Sequence, residues 1–64
     1  MLLRELRESR GLSQADLAFI SGLSRRTIGE LEAGNRKPYP SSRRKLARAL
    51  KVRVEAIQYA DPAA

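Results

Sequence analysis

Apolar residues recur at helical spacing from the start of the chain. Leu3 and Leu6, with Arg10 a turn later and charges between, predict a first amphipathic helix ending at Gly11, a residue suited to a helix C-terminus. Ser13 is a good N-cap, and Asp16 at the third helical position completes a capping-box-like start for a second helix that runs to about Ser21. Ser24 caps a third helix, Arg25–Ala33, which Gly34 stops. Two helices joined at a steep angle by about three or four residues bring their backbones close. The crossing therefore needs a small side chain, Ala18, and the turn needs a residue that tolerates unusual dihedrals, Gly22. Leu17, Ile28 and Leu31 then face inward and hold the pair at that angle.

Residues 35–40, NRKPYP, form a loop, because two prolines two apart preclude regular helix. Ser41 or Ser42 caps a fourth helix to about Lys51, and a short fifth helix, about residues 54–59, returns Val54 and Ile57 to the core. That core is expected to hold Leu3, Leu6, Leu12, Leu17, Ala18, Leu23, Ile28, Leu31, Leu46, Ala47, Leu50, Val52, Val54 and Ile57. The expected fold class is all-α: a compact five-helix domain over residues 1–60, with residues 61–64 as a frayed tail. There is no internal repeat and no low-complexity segment.

With 64 residues the core hides only ~60% of the unfolded chain's surface, so stability is modest or borrowed from a partner. The chain has no cysteine and no histidine. Disulfides and soft-metal sites are therefore unavailable, and helix packing must suffice, helped or not by dimerisation. The same absence, with carboxylates spread over helix surfaces, leaves no acid–base pair to assemble, so no catalytic residue, metal or cofactor is expected. Nothing resembles a signal peptide or the ~20-residue apolar run that crosses a bilayer, which points to a cytoplasmic, nucleoid-associated protein.

The formal charge is +6, and its distribution tells more than its total. Ten Lys or Arg lie between Arg25 and Arg53 against only Glu30 and Glu32, while the rest of the chain is slightly acidic. A basic stretch of this kind is the electrostatic footprint of a polyanion partner. The blander alternative is a solvated face that only keeps the protein soluble.

Four blocks carry a family resemblance: RESRGLSQADLA (residues 7–18), GLSRRTI (22–28), LEAGNRKP (31–38) and LARALKVRVEAI (46–57). In this order and at these separations they make the chain similar to the phage repressor and Cro-like (XRE-type) transcriptional regulators. The resemblance covers nearly the whole chain and implies a repressor-like domain whose helix-turn-helix is built by the second and third helices. It implies a DNA-binding regulator, most often a repressor, bound as a homodimer to a two-fold operator through the major groove. By the same likeness Arg25, Arg26, Thr27 and Glu30 are expected to read base edges. Arginine suits guanine, the threonine methyl suits thymine's, and glutamate accepts from cytosine N4 or orients a neighbouring arginine. Either arginine could instead touch phosphate alone.

Gln14 is expected to contact the phosphate backbone and brace the third helix, or else to be a plain polar residue at a helix start. Asn35, Arg36 and Lys37, with Arg43 or Arg44, are placed to grip the backbone, adding affinity without sequence choice. Arg7 and Glu32 match the positions of an ion pair between the first and third helices, and a partly buried pair is favoured over a surface one. Gly29 inside the third helix costs about 0.8 to 1 kcal/mol relative to alanine, which suggests close approach to DNA or to another helix, or no cause at all. Phe19 either forms part of a contact surface or covers the first helix. Tyr39 either packs its loop or brings its hydroxyl to phosphate, and Tyr59 either closes the core or meets another subunit.

The chain departs from the family pattern at Arg43, where an apolar residue is usual, and at Arg53, where Ser or Thr usually caps the fifth helix. These changes put the packing of the fourth helix, the start of the fifth and any inherited dimer interface in doubt. An N-terminal arm reaching around a duplex is not expected. Two other uses of the fold compete with the regulator: an antitoxin holding a toxin through an apolar surface around Phe19 or Tyr59, and a coactivator-type module bridging other proteins.

Overall fold

A computed structural model describes residues 1–60. Four α-helices follow one another, α1 (Leu3–Ser9), α2 (Gln14–Ser21), α3 (Arg25–Ala33) and α4 (Pro40–Leu50), and one 3-10 turn, Val54–Ala56, comes last. The all-α expectation holds, but the fifth helix is reduced to that single turn. Arg53 stands at its N-cap position and makes no side-chain cap, and the backbone is already extended at Ile57. The next residue is claimed by another partner: the Gln58 amide donates to the Met1 carbonyl at 2.8 Å and the Leu3 amide donates to the Gln58 carbonyl at 2.9 Å. The Met1 ammonium also donates to the Ala56 carbonyl at 3.2 Å. This clasp between the first and last described segments satisfies backbone groups that a fifth helix would have used. The expected tail at residues 61–64 lies outside the described residues.

The caps of α2 and α3 follow the sequence. Ser13 Oγ accepts from the Asp16 amide at 3.0 Å while Asp16 Oδ2 accepts from the Ser13 amide at 3.0 Å. That backbone hydrogen bond, with the serine hydroxyl beside it, holds the Asp16 carboxyl below its ordinary range. Ser24 Oγ accepts from the Thr27 amide at 3.0 Å. Gly22, at φ +78°, makes the sharp exit from α2, and Gly34, at φ +80°, ends α3. The start of α4 differs from expectation. Pro40 is its first helical residue and Tyr39 its N-cap, with no side-chain cap, while Ser41 and Ser42 lie inside the helix. Proline's fixed φ and missing N–H suit the first helical position, so no serine is needed there.

The core gathers Leu3, Leu6, Leu17, Ala18, Ile28, Leu31, Leu46, Ala47, Leu50 and Ile57, and Leu12, Leu23 and Val52 pack partly buried against it. Val54, expected inside, is exposed. The turn closes where the Ile57 amide donates to the Val54 carbonyl at 3.3 Å, and only Ile57 reaches the core. α2 packs against both α3 and α4, and α1 lies against α3. α3 is thereby fixed along its inner face, with its N-terminal edge outward.

Candidate nucleic-acid interface

The outward edge of α3 begins with two arginines. Arg25 and Arg26 are exposed, and no acidic residue occupies the first turn of the helix. Cations near a helix N-terminus oppose its dipole by about 0.3 to 1 kcal/mol each, so this edge is electrostatically strained until an anion approaches. Thr27 is partly buried and its hydroxyl accepts from Ser24 Oγ at 2.8 Å, which commits it to the cap. Glu30 is drawn between two arginines, with its Oε1 3.3 Å from Arg26 Nε and 3.5 Å from Arg36 Nη2. That oxygen is buried and has no hydrogen bond of good geometry. Of the two roles expected for Glu30, the geometry is that of a group orienting arginines.

Behind this edge sits a buried polar hub. Glu32 accepts a bidentate pair of hydrogen bonds from Arg7, Nε at 2.6 Å and Nη2 at 3.1 Å, and a third from Gln14 Nε2 at 3.1 Å. Arg7 Nη1 also donates to the Leu12 carbonyl at 2.7 Å. The two charged side chains are only 10% and 5% exposed, which makes this the buried version of the expected pair. The hub ties α1, the first residue of α2 and α3 together, so it fixes the angle at which α3 is presented. Gln14 is bound to Glu32 through its amide nitrogen.

Burial alone would push the Glu32 carboxyl up, but the hydrogen bonds from Arg7 and Gln14 and the charge of Arg7 outweigh it and leave it below the ordinary glutamate range. The hydrogen bond to Glu32 likewise raises Arg7 above an already high value. A carboxyl depressed in the folded state contributes stability that is present above its unfolded value, about 4.3, and is lost as pH falls through the folded value. Acid unfolding should therefore steepen below about pH 4.3. The thermal midpoint of Glu32→Gln, followed from pH 6 to 2.5, should show a shallower fall than that of the parent chain.

Asn35, Arg36 and Lys37 are exposed in the loop that follows α3, and Arg43 and Arg44 are exposed on the second turn of α4. Arg43 leans away toward the C-terminal segment, its guanidinium 5.8 Å from the centre of the Tyr59 ring. Here a cation–π contact replaces the apolar residue usual at that position. Tyr59 is partly buried, and its hydroxyl is buried without a hydrogen-bond partner among the described residues. Burial pushes its pKa up and Arg43 pulls it back. Tyr39 is exposed, so it does not pack the loop, and Phe19, 88% exposed, does not cover α1.

Gly29 is not crowded: a Cβ there would meet only Gln14 Oε1, at an ordinary 3.8 Å. Close packing against another helix is therefore not its cause. Gly29→Ala should stabilise the chain by about 0.4 to 1 kcal/mol, read as a higher urea midpoint at unchanged slope. Two structural contacts escaped sequence reasoning. Arg10 Nε donates to the Leu50 carbonyl at the end of α4 at 3.2 Å, and the terminal clasp pairs segments far apart in the chain. Neither leaves a periodic or motif signal.

A helix-turn-helix family model matches residues 3–57. Among curated proteins the chain is 46% identical over 59 residues to the uncharacterized HTH-type transcriptional regulator RghRB of Bacillus subtilis (strain 168), covering 91% of this chain and 42% of that protein. It is 45% identical over 58 residues to the HTH-type transcriptional repressor RghR of the same organism, covering 89% and 43%. The chain thus spans about two fifths of the length of these relatives. Among solved structures, the restriction-modification controller protein C.AhdI from Aeromonas hydrophila superposes with a TM-score of 0.81 at 47% identity, over 83% of this chain and 80% of that one. With this match across the folded region, and with α2 and α3 meeting over the turn at Gly22, the chain belongs to the helix-turn-helix family of transcriptional regulators.

Proposed function

We propose that the chain is a sequence-specific double-stranded DNA-binding module that represses transcription by occluding its site. The observation that carries this reading is the pair of exposed arginines at the N-terminal edge of α3, held on a rigid base by the buried Arg7–Glu32–Gln14 hub. α3 enters the major groove; Arg25 and Arg26 read base edges, with Thr27 beside them, and Glu30 sets the direction of Arg26 and Arg36. Asn35, Arg36, Lys37 and Arg44 hold the phosphate backbone, with Gln14 and Arg43 at its margin. The active form is a homodimer on two half-sites about 34 Å apart. Likeness to a repressor and to a restriction-modification controller supports a regulator of this kind, working inside the cell on the chromosome.

Selection of bound sequences from random duplexes at about 150 mM salt tests the reading. A two-fold, guanine-containing consensus is expected; enrichment of nothing would overturn it. One observation favours a second use of the fold: Phe19, 88% exposed on α2, suits a protein partner such as a toxin or another regulator. In that case Arg25→Ala with Arg26→Ala would leave function intact.

A further inference from the structure

The arginines of α1 and its C-cap are all engaged. Arg4 pairs with Glu8 at 3.4 Å, Arg7 with Glu32 at 2.6 Å, and Arg10 donates to the Leu50 carbonyl at 3.2 Å. α4 is different. Arg44, Lys45 and Arg48 are exposed, as is Lys51 at its C-cap, and among the described residues none of them forms an ion pair. Between Glu32 and Glu55 the sequence holds eight Lys or Arg and no Asp or Glu, so no carboxylate is close in the chain to neutralise them. Arg44 and Arg48, four residues and about 6 Å apart along α4, share a face opposite the buried Leu46 and Leu50, with Lys45 beside them and Lys51 following at the C-cap.

Like charges at these spacings repel and weaken a helix. The dipole of α4 favours Arg48 and Lys51 near its C-terminus but does nothing for Arg44 and Lys45. Lys51 carries a further strain, sitting at φ +58°, in the left-handed region that favours glycine.

We propose that this run of cations is a second phosphate-backbone surface, engaging duplex DNA through Lys45, Arg48 and Lys51 in addition to the contacts made from α3. The proposal rests on the DNA-binding reading above. Arg44, already placed on the backbone, heads this run of cations, so the surface extends along α4 from that contact. DNA fits it better than an acidic protein segment does. None of the exposed large apolar side chains, Met1, Leu2, Phe19, Ile20, Tyr39 and Val54, lies on α4, whereas protein interfaces carry an apolar centre.

The test is a triple variant, Lys45→Gln with Arg48→Gln and Lys51→Gly, which keeps Arg44 and relieves the strain at residue 51. Its unfolding midpoint, followed by circular dichroism, should stay close to that of the parent chain. Binding is measured to a labelled random-sequence duplex of about 30 base pairs from 50 to 200 mM NaCl. Three lost phosphate contacts should flatten the slope of log K against log salt by about 2.7 per bound protomer, so the fall in affinity across that range shrinks about 40-fold. Arg25→Ala with Arg26→Ala, measured in parallel, tests the α3 reading separately, since its failure leaves the contribution of α4 in place. A slope within about 0.5 of the parent's would overturn the proposal. So would loss of binding to a polyglutamate peptide with the duplex slope unchanged, which would assign these cations to an acidic protein segment.

Discussion

Glu32→Ala is expected to unfold a large share of the chain at 25 °C. The substitution strands the Arg7 guanidinium, 90% covered by protein, and removes the acceptor of Gln14. Breaking a buried pair from one side costs about 3 to 5 kcal/mol, because the remaining charge keeps only the Leu12 carbonyl and has no counter-ion. At about 0.05 to 0.15 kcal/mol per residue, a domain of this size holds only about 3 to 10 kcal/mol in total. The midpoint of thermal unfolding should fall by about 12 °C or more. Replacing both partners by apolar residues, Arg7→Met with Glu32→Leu, should recover most of the loss, since no charge is then stranded. A fall of only a few degrees in the single variant would mean that the pair behaves as a surface contact, and that the hub does not fix α3.

Arg25→Ala with Arg26→Ala should separate binding from stability. A bidentate arginine–guanine contact is worth about 1 to 3 kcal/mol of discrimination, so losing two weakens binding to the selected duplex about 30-fold or more. The folded chain should be slightly steadier without them, because two cations leave the positive end of the α3 dipole. Fluorescence anisotropy and urea unfolding on the same samples give both readings. If one arginine meets only phosphate, its single variant weakens all sequences alike and lowers the salt slope by about 1. Affinity within threefold of the parent's would remove α3 from the interface.

Much of this arrangement is written locally in the sequence. Ser13 with Asp16, Ser24 before the arginines, and glycine at positions 22 and 34 set the ends of α2 and α3 through bonds only a few residues long, so periodicity and capping chemistry find them. What escaped is what depends on distant partners. Gln58 is drawn to the N-terminal segment, which leaves one turn where a fifth helix was expected; Arg53 in the capping position put the start of that helix in doubt, but no local pattern announces the clasp. Val54 was expected inside with Ile57, and it stands exposed at the start of the one turn that forms. In the site, exposure followed from the charge pattern, as did a neighbouring arginine for Glu30, but its second partner, Arg36, did not. A carboxylate between Arg26 and Arg36 depends on how the loop after α3 folds back, which composition does not encode.

In the proposed complex the α3 arginines enter the major groove, where guanine N7 lies. Dimethyl sulfate methylates that atom, so protection of guanines in the selected duplex measures the contact itself. The parent chain should protect guanines in each half-site, and Arg25→Ala with Arg26→Ala should expose them at protein concentrations that still saturate the duplex. Guanines equally reactive with and without the parent chain, or equally protected by the variant, would place the α3 arginines outside the groove.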